Sequence, residues 1–347
     1  MDWSAATPAS ADLFRRILRR NEFYLLLFFV CFCALVQGFA SSFLTLENLF
    51  DVTKTSAGFA ILAVGVLVVL LSGGIDVSFL AIAISAQYGA VKLLIALGVS
   101  SLPMAFAVSC GIGILLGAIN GVLISAFRLP TLITTLGTQT VFHGLLLTLL
   151  GSRAINSSDL PRCFLDFSKA HVFTLAKPDG TPYGLSAFVP IAVGVYVLTW
   201  LFLKFTKIGR GTLAIGGNVE SARRIGFHVP LIQISVYSYV GFLAGIMGII
   251  NVALIRYVTP TTLVGSELDV IAAVVLGGAR ITGGKGTIIG TVLGVAIFQV
   301  LQTSLVLLGL SSFWQRAFVG LIIIVGMSVT AYQTKLRNAR SLIFRLE

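Results

Sequence analysis

Apolar runs of about twenty residues, separated by short polar stretches, recur along nearly the whole chain. Each is long enough to cross about 30 Å of hydrocarbon as a helix. Lipid cannot satisfy exposed backbone N–H and C=O groups, so a run that enters it must be helical. The pattern predicts spans over 23–43, 57–73, 77–98, 102–127, 130–150, 188–204, 231–252, 266–279, 286–309 and 313–332. The eighth is short and carries Glu267 and Asp269 at its start. The expected fold class is all-α, a polytopic membrane helical bundle of about ten spans over residues 22–332. A polar segment at 1–21 precedes it and a tail at 333–347 follows. The first run is longer than a signal-peptide core and reads as a retained span.

Composition supports the lipid bilayer as the surroundings. Hydrophobic residues make up 57% of the chain and charged ones 11%, where soluble domains carry about 25% charged. The 36 glycines fit helices that approach closely in lipid. A net charge of +11 raises nucleic-acid binding, but the cations sit at the ends of the apolar runs, so no nucleic acid is expected. Sixteen Lys and Arg fall in the segments assigned inside, against six outside: Lys54, Arg153, Arg162, Lys169, Lys177 and Arg256. That asymmetry predicts both termini on the cytoplasmic side. Lys92 and Arg316 fall within runs and are expected to snorkel outward.

Two polar insertions interrupt the spans. The one at 151–186 is external, with turn signals at Ser157-Ser-Asp159 and Pro178-Asp-Gly-Thr-Pro182. It reads as a solvated connector or as a docking or gate element. The one at 207–230 is internal. In it Asn218 is a good N-cap, Glu220 lies in the first turn, Arg223 and Arg224 in the last, and Gly226 stops the helix. A helix of about two turns is marginal alone, so it either lies on anionic lipid or plugs into a cytoplasmic partner.

A short internal echo pairs Leu71-Ser-Gly-Gly-Ile-Asp-Val-Ser78 with Val275-Leu-Gly-Gly-Ala-Arg-Ile-Thr282. Glycine-broken helices line the path in many transporters. Gly73, Gly74, Gly277, Gly278, Gly283 and Gly284 are therefore candidate break or gating positions. Asp76 is either a cap for the helix beginning after Gly74 or an intramembrane functional carboxylate. Gln87, Asn120, Thr134, Thr135, Thr138, Gln139 and Gln302 are polar residues within spans. They line the path or tie helices together.

No enzyme is indicated. The chain has no Walker loop, Gly-x-Ser-x-Gly elbow or His-Glu-x-x-His helix. Cys31, Cys33, Cys110 and Cys163 lack metal-ligand spacing, and His143, His171 and His228 are scattered. No catalytic residue, metal or bound cofactor is expected.

Several segments in order resemble the permease subunits of bacterial ABC importers of the ribose, xylose and galactose type, which include autoinducer-2 importers. They are Gly73-Gly-Ile-Asp-Val-Ser78, Asn120-Gly-Val-Leu-Ile124, Pro130-Thr-Leu-Ile-Thr-Thr-Leu-Gly-Thr138, Ala214-Ile-Gly-Gly-Asn-Val-Glu-Ser-Ala-Arg223, Gly265-Ser-Glu-Leu-Asp-Val-Ile-Ala-Ala-Val-Val-Leu-Gly-Gly278, Gly283-Gly-Lys-Gly286 and Phe313-Trp-Gln315. The resemblance implies a type II importer fold and a coupling helix at 218–226, with Glu220, Ala222 and Gly226 at matching positions. It also implies separate ABC ATPase subunits, a periplasmic substrate-binding protein and a second permease subunit, as homodimer or heterodimer. Phe79-Leu80 depart from the small pair usual in the family. The substrate implied is a sugar or sugar-like molecule, with branched-chain amino acids or nucleosides as the alternative. A proton-coupled secondary transporter is the alternative from another class.

Overall fold

The computed structural model describes residues 21–176, 182–261, 263 and 265–307, with isolated positions at 309, 314, 317, 320, 321 and 324. The expected terminal segment 1–21 apart from Asn21, the segment 333–347, and most of the expected tenth span lie outside the described residues. In chain order the helices are α1 (Asn21–Phe39), α2 (Leu46–Leu71), α3 (Phe79–Leu97), α4 (Leu102–Phe127), α5 (Thr131–Leu150) and α6 (Arg162–Ser168). A hairpin follows, β1 (His171–Ala176) and β2 (Pro182–Ser186). The rest are α7 (Phe188–Phe205), α8 (Lys207–Gly217), α9 (Val219–Arg224), α10 (Val229–Ile255), α11 (Glu267–Leu276) and α12 (Ile288–Leu307). Eight of these helices are long and apolar enough to cross a membrane, so the chain is a polytopic helical membrane bundle.

Two boundaries differ instructively from the pattern. The second span begins at Leu46 rather than 57, because Thr45 caps it by accepting the Asn48 N–H at 3.3 Å. Its first turns are polar yet helical, which takes Lys54 from a loop into α2. The stretch expected as a span at 266–279 is the ten-residue α11, about 15 Å long at 1.5 Å per residue. That is half a membrane.

The core is α2, α3 and α10, whose central turns are buried. Hydrophobic burial does not hold spans together in lipid, so close backbone approach must. α4 and α10 meet through glycines four residues apart: a Cβ on Gly113 would stand 2.1 Å from the Gly241 oxygen, and one on Gly117 2.2 Å from the Tyr237 oxygen. The hydroxyl of Ser109 adds a 2.8 Å hydrogen bond to the Gly245 oxygen.

The insertion at 151–186 is folded. β1 and β2 pair antiparallel, with Phe173 opposite Leu185. Ile155 and Val258 exchange backbone hydrogen bonds of 2.8 and 3.0 Å, which pin the insertion to the chain beyond α10. Arg256 Nε donates to Ser168 Oγ at 2.7 Å. On the same membrane face, Lys92 Nζ donates to the Leu150 carbonyl at the end of α5. Arg316 lies outside the described residues. The alternation of spans puts α8, α9 and the starts of α3, α5, α10 and α12 on the opposite face.

Candidate coupling face and membrane path

α9 is the shortest helix after the hairpin, and its ends are fully determined by its own residues. Asn218 Oδ1 accepts the Ser221 N–H at 2.8 Å. At the other end Gly226 takes a φ of +92°, open to glycine at no steric cost. There Gly226 N–H bonds Arg223 O at 3.0 Å and Phe227 N–H bonds Ala222 O at 3.1 Å, the paired bonds of a Schellman turn. Glu220 faces Arg223 at 3.6 Å and Arg224 at 3.5 Å, with all three side chains more than half exposed. Ala222 is the one buried residue of the helix, at 1% exposure. The outcome is a rigid, charged knob standing off the membrane face, rooted through Ala222.

The helix before it, α8, is not visible in the sequence pattern. Gly209, Gly211, Gly216 and Gly217 occupy four of its eleven positions, and each glycine disfavours a helix by about 1 kcal/mol relative to Ala. Packing explains three of them. A Cβ on Gly209 would meet the Phe202 oxygen at 2.2 Å, one on Gly211 the Ile232 side chain at 2.4 Å, and one on Gly216 the Leu71 oxygen at 1.8 Å.

The two Gly-Gly echoes close helices by the same device in different register. After α2, Gly73 (φ +81°) bonds Leu70 O at 2.9 Å and Gly74 bonds Val69 O at 3.2 Å. After α11, Gly278 (φ +92°) bonds Val275 O at 2.9 Å and Ala279 bonds Val274 O at 3.3 Å. The left-handed residue is thus the first glycine of one pair and the second of the other. Gly74 is needed small because a Cβ there would lie 2.7 Å from the Tyr237 hydroxyl. Gly277 is needed small because one there would lie 2.3 Å from the Gly290 oxygen. Gly278 has open space and is required for its φ alone, so close packing does not account for it.

Asp76, 2% exposed, sits in the break between α2 and α3. Its Oδ1 accepts both the N–H and the hydroxyl of Ser78 at 2.7 Å. Asn120 Nδ2 donates to the same Ser78 hydroxyl at 2.7 Å. Thr131 Oγ1 accepts the Ile75 N–H at 3.0 Å and Thr135 Oγ1 the Val77 N–H at 3.3 Å. Buried backbone N–H groups need acceptors, and in the break Ile75, Val77 and Ser78 each find one on a side chain. Asp76, Asn120 and Thr135 therefore form one network that holds the break.

The remaining polar candidates separate. Gln87 Oε1 accepts from Asn251 at 3.1 Å, tying α3 to α10. Thr134 and Thr138 donate to carbonyls of their own helix, Pro130 O at 2.9 Å and Thr135 O at 3.3 Å. Gln302 is half-buried on α12. Gln139 differs, since its amide donates to Glu267 Oε1 at 2.8 Å across 128 residues of sequence. The second oxygen of Glu267 accepts the Gly265 N–H at 2.9 Å, and Glu267 is 6% exposed.

Depth follows from helix geometry. α11 and α12 run antiparallel with Gly277 against Gly290 and Ala273 against Gly294, so Gly277 lies at the α9 face. Glu267, ten residues back, stands about 15 Å above it. Gln139, eight residues into α5, stands about 12 Å in by the same count. Both lie near the middle of about 30 Å of hydrocarbon. His143, one turn further, meets the Pro260 oxygen at 3.0 Å, which draws the chain at Pro260 inward from the outer face, where Arg256 and Val258 are held. Irregular backbone at this depth is tolerated only inside protein or against an aqueous path. Glu267 carried the sequence signal, a carboxylate opening a short apolar run, but only the half-membrane length of α11 gives that signal meaning.

Removing the carboxylate tests the tie. Glu267→Leu leaves the Gln139 amide and the Gly265 N–H unpaired and is expected to destabilise by about 1–3 kcal/mol. Glu267→Gln keeps an acceptor and is expected to cost less. Thermal unfolding of the purified protein in detergent ranks the two, and equal melting temperatures would show that the tie is not structural.

Among the described residues no group of His, Cys, Asp and Glu is placed to hold a metal ion. The family model for the permease component of branched-chain amino acid transport systems matches residues 48–327. The ribose import permease protein RbsC of Escherichia coli (strain K12) is 35% identical over 297 residues, 85% of this chain and 89% of the relative. RbsC of Haemophilus influenzae is 32% identical over 325 residues, covering 92% of this chain and 94% of the relative. The autoinducer 2 import system permease protein LsrC of Salmonella typhi is 31% identical over 327 residues, covering 93% and 88%. No solved structure matches the chain. With its span pattern, its broken half-helix and these relatives together, the chain belongs to the branched-chain amino acid transport system permease component family, the membrane subunits of ABC importers.

Proposed function

We propose that this chain translocates a sugar or sugar-like neutral molecule across the bacterial inner membrane, driven by separate ATPase subunits that grip α9. The observation that supports this most is the pairing of a capped, charged knob on one face with a polar midplane on the same chain. Ribose import permeases match over most of its length. The knob gives a rigid contact for a moving partner. The midplane offers amide and hydroxyl groups beside two carboxylates of the first turn of α11, Glu267, which Gln139 and Gly265 hold, and Asp269. Of the lysines within the described spans, Lys54 lies in the polar first turns of α2, Lys204 at the end of α7, and Lys92 donates to the Leu150 carbonyl at the outer end. A branched-chain amino acid would need a cation for its carboxylate, and none of these three is bonded to the Gln139–Glu267 pair.

In this reading the 207–230 segment faces the cytoplasm, with both termini on that side. The folded 151–186 insertion faces the periplasm, where a binding protein delivers substrate, and a second permease subunit completes the path. Affinity resides in the binding protein, so the membrane path needs only weak polar contacts.

Reconstituted with its ATPase and binding protein in proteoliposomes, the permease is expected to take up labelled ribose or a related sugar only when ATP is supplied. Leucine uptake in place of sugar would reassign the substrate class. Sugar uptake that continues without the ATPase and collapses with an uncoupler would identify a proton-coupled transporter instead.

A further inference from the structure

A six-residue helix moves nothing unless it is joined stiffly to the spans. α9 follows α8 after the single residue Asn218, and α8 ends in Gly216 and Gly217. A Cβ on Gly216 would lie 1.8 Å from the Leu71 oxygen and 2.7 Å from the Gly284 nitrogen. A Cβ on Gly283 would lie 2.7 Å from both the Gly216 oxygen and the Gly73 Cα. Gly284 donates its N–H to the Leu71 oxygen at 3.2 Å. Three backbones therefore touch with no side chain between them: the last turn of α8, the turn that closes α2, and the loop that leads into α12. Gly73, Gly283 and Gly284 also hold φ of +81°, +94° and +70°, a conformation other residues resist.

Packed helices ordinarily shear over one another by small readjustments of interposed side chains. Bare backbone against bare backbone has no such layer. Displacement of α8 must then carry the end of α2 and the 283–284 loop with it, or break the contact outright. Those two segments are the ones that lead into α3, through the Asp76 network, and into α12, which packs against the half-helix bearing Glu267. The joint thus lies between the knob and both breaks in the membrane.

We propose that Gly216 is a positioning residue for transport: it closes a rigid three-way joint that passes displacement of α9 to the break after α2 and to the loop before α12 as one body. The inference rests on the reading of α9 as the ATPase contact. It adds that the relay runs through backbone contact at 71–73, 216 and 283–284, rather than through the α8–α10 side-chain packing around Ile232.

Spin labels test the joint without altering Gly216. Ser72→Cys and Gly217→Cys carry them in a background free of other cysteines; Ser72 is half-buried and a Cβ on Gly217 meets nothing within 4 Å. A third label at Thr174→Cys marks the opposite face. In the complete transporter, between nucleotide-free and ATP-bound states, the 72–217 distance should hold within about 2 Å, the scale of shifts between packed helices. The 217–174 distance should change by more than that. A 72–217 distance that changes as much as the 217–174 distance means α8 slides over α2, and overturns the joint alone. An unmoved 217–174 distance, with no cross-link from Ser221→Cys to the ATPase, overturns the joint and the coupling reading together. As a second measure, Gly216→Ala should co-purify with the ATPase yet lose ATP-driven uptake by about tenfold or more, within the usual span of coupling effects. Gly217→Ala, one residue on in open space, should stay within about twofold. Parental uptake by Gly216→Ala would overturn the proposal, and if that variant fails to accumulate the label distances decide.

Discussion

Replacing Glu220 and Arg223 together by alanine is expected to lower ATP-driven uptake by about 100-fold, toward the upper end of typical coupling free energies, while the protein remains in the membrane at parental amounts. The second half of that expectation comes from how α9 is held. Its N-terminal cap is Asn218 to the Ser221 N–H, its C-terminal stop is Gly226, and its root is Ala222. None of these uses the two replaced side chains. The ion pairs of Glu220 with Arg223 and Arg224 are more than half exposed, and such pairs contribute only about 0–1 kcal/mol. Alanine also favours the helix. A loss of uptake with unchanged protein level would therefore place the effect on an outside contact. Asn218→Ala supplies the contrast: losing a cap costs about 1 kcal/mol, so that variant should loosen α9 and reduce uptake less steeply. Uptake and membrane immunoblots on the three proteins check the order. Full uptake by the double variant would remove α9 from the coupling path.

The spans were legible because hydrocarbon imposes length and apolarity directly on sequence, and α4, α5 and α7 fall within a residue or so of the apolar runs. α9 was legible because its determinants are local: a capping side-chain oxygen three residues before the N–H that donates to it, and a glycine at the stop. What remained hidden depends on partners distant in sequence. α8 reads as a glycine-rich loop until Phe202, Ile232 and Leu71 are seen against it. α11 reads as one more span until Gly277 is found level with the start of α12, which makes Glu267 a midplane carboxylate. The hairpin at 171–186 escapes periodicity because every residue of β1 is exposed, leaving no buried face to alternate with. The echo at 71–78 and 275–282 is a real repetition of helix-stop chemistry, yet composition cannot say which glycine of each pair takes the left-handed turn. Of the polar residues within spans, Gln139 joins the midplane tie, Gln87 makes an interhelical bond to Asn251, and Asn120 and Thr135 brace the Asp76 break. Polarity marks them alike, and their partners distinguish them.

That one-residue offset makes the second large expectation sharp. Gly277→Leu and Gly278→Leu add the same side chain to neighbouring positions for different physical reasons, so their costs should differ. At 277 the new Cβ would stand 2.3 Å from the Gly290 oxygen and 2.7 Å from its carbonyl carbon. Both are backbone atoms, and the contact is mutual, since a Cβ on Gly290 would meet the Gly277 oxygen at 2.1 Å. Nothing there can turn aside. α11 and α12 must part, and overpacking costs typically about 1–3 kcal/mol and more where backbone has to shift. Parting them also pulls Glu267 from Gln139, adding the cost of unpaired buried groups, about 1–3 kcal/mol. At 278 the space around the Cβ is empty and only the φ of +92° is at stake, a strain of about 1–2 kcal/mol. Unfolding of the purified variants should therefore show Gly277→Leu melting well below Gly278→Leu, with the latter below the parent by a few degrees. Gly290→Leu should reproduce the first of these, because it forces the same two helices apart from the other side. If Gly278→Leu proved the more damaging, the half-helix would be held by its turn rather than by its contact with α12, and the midplane position of Glu267 would lose its mechanical support.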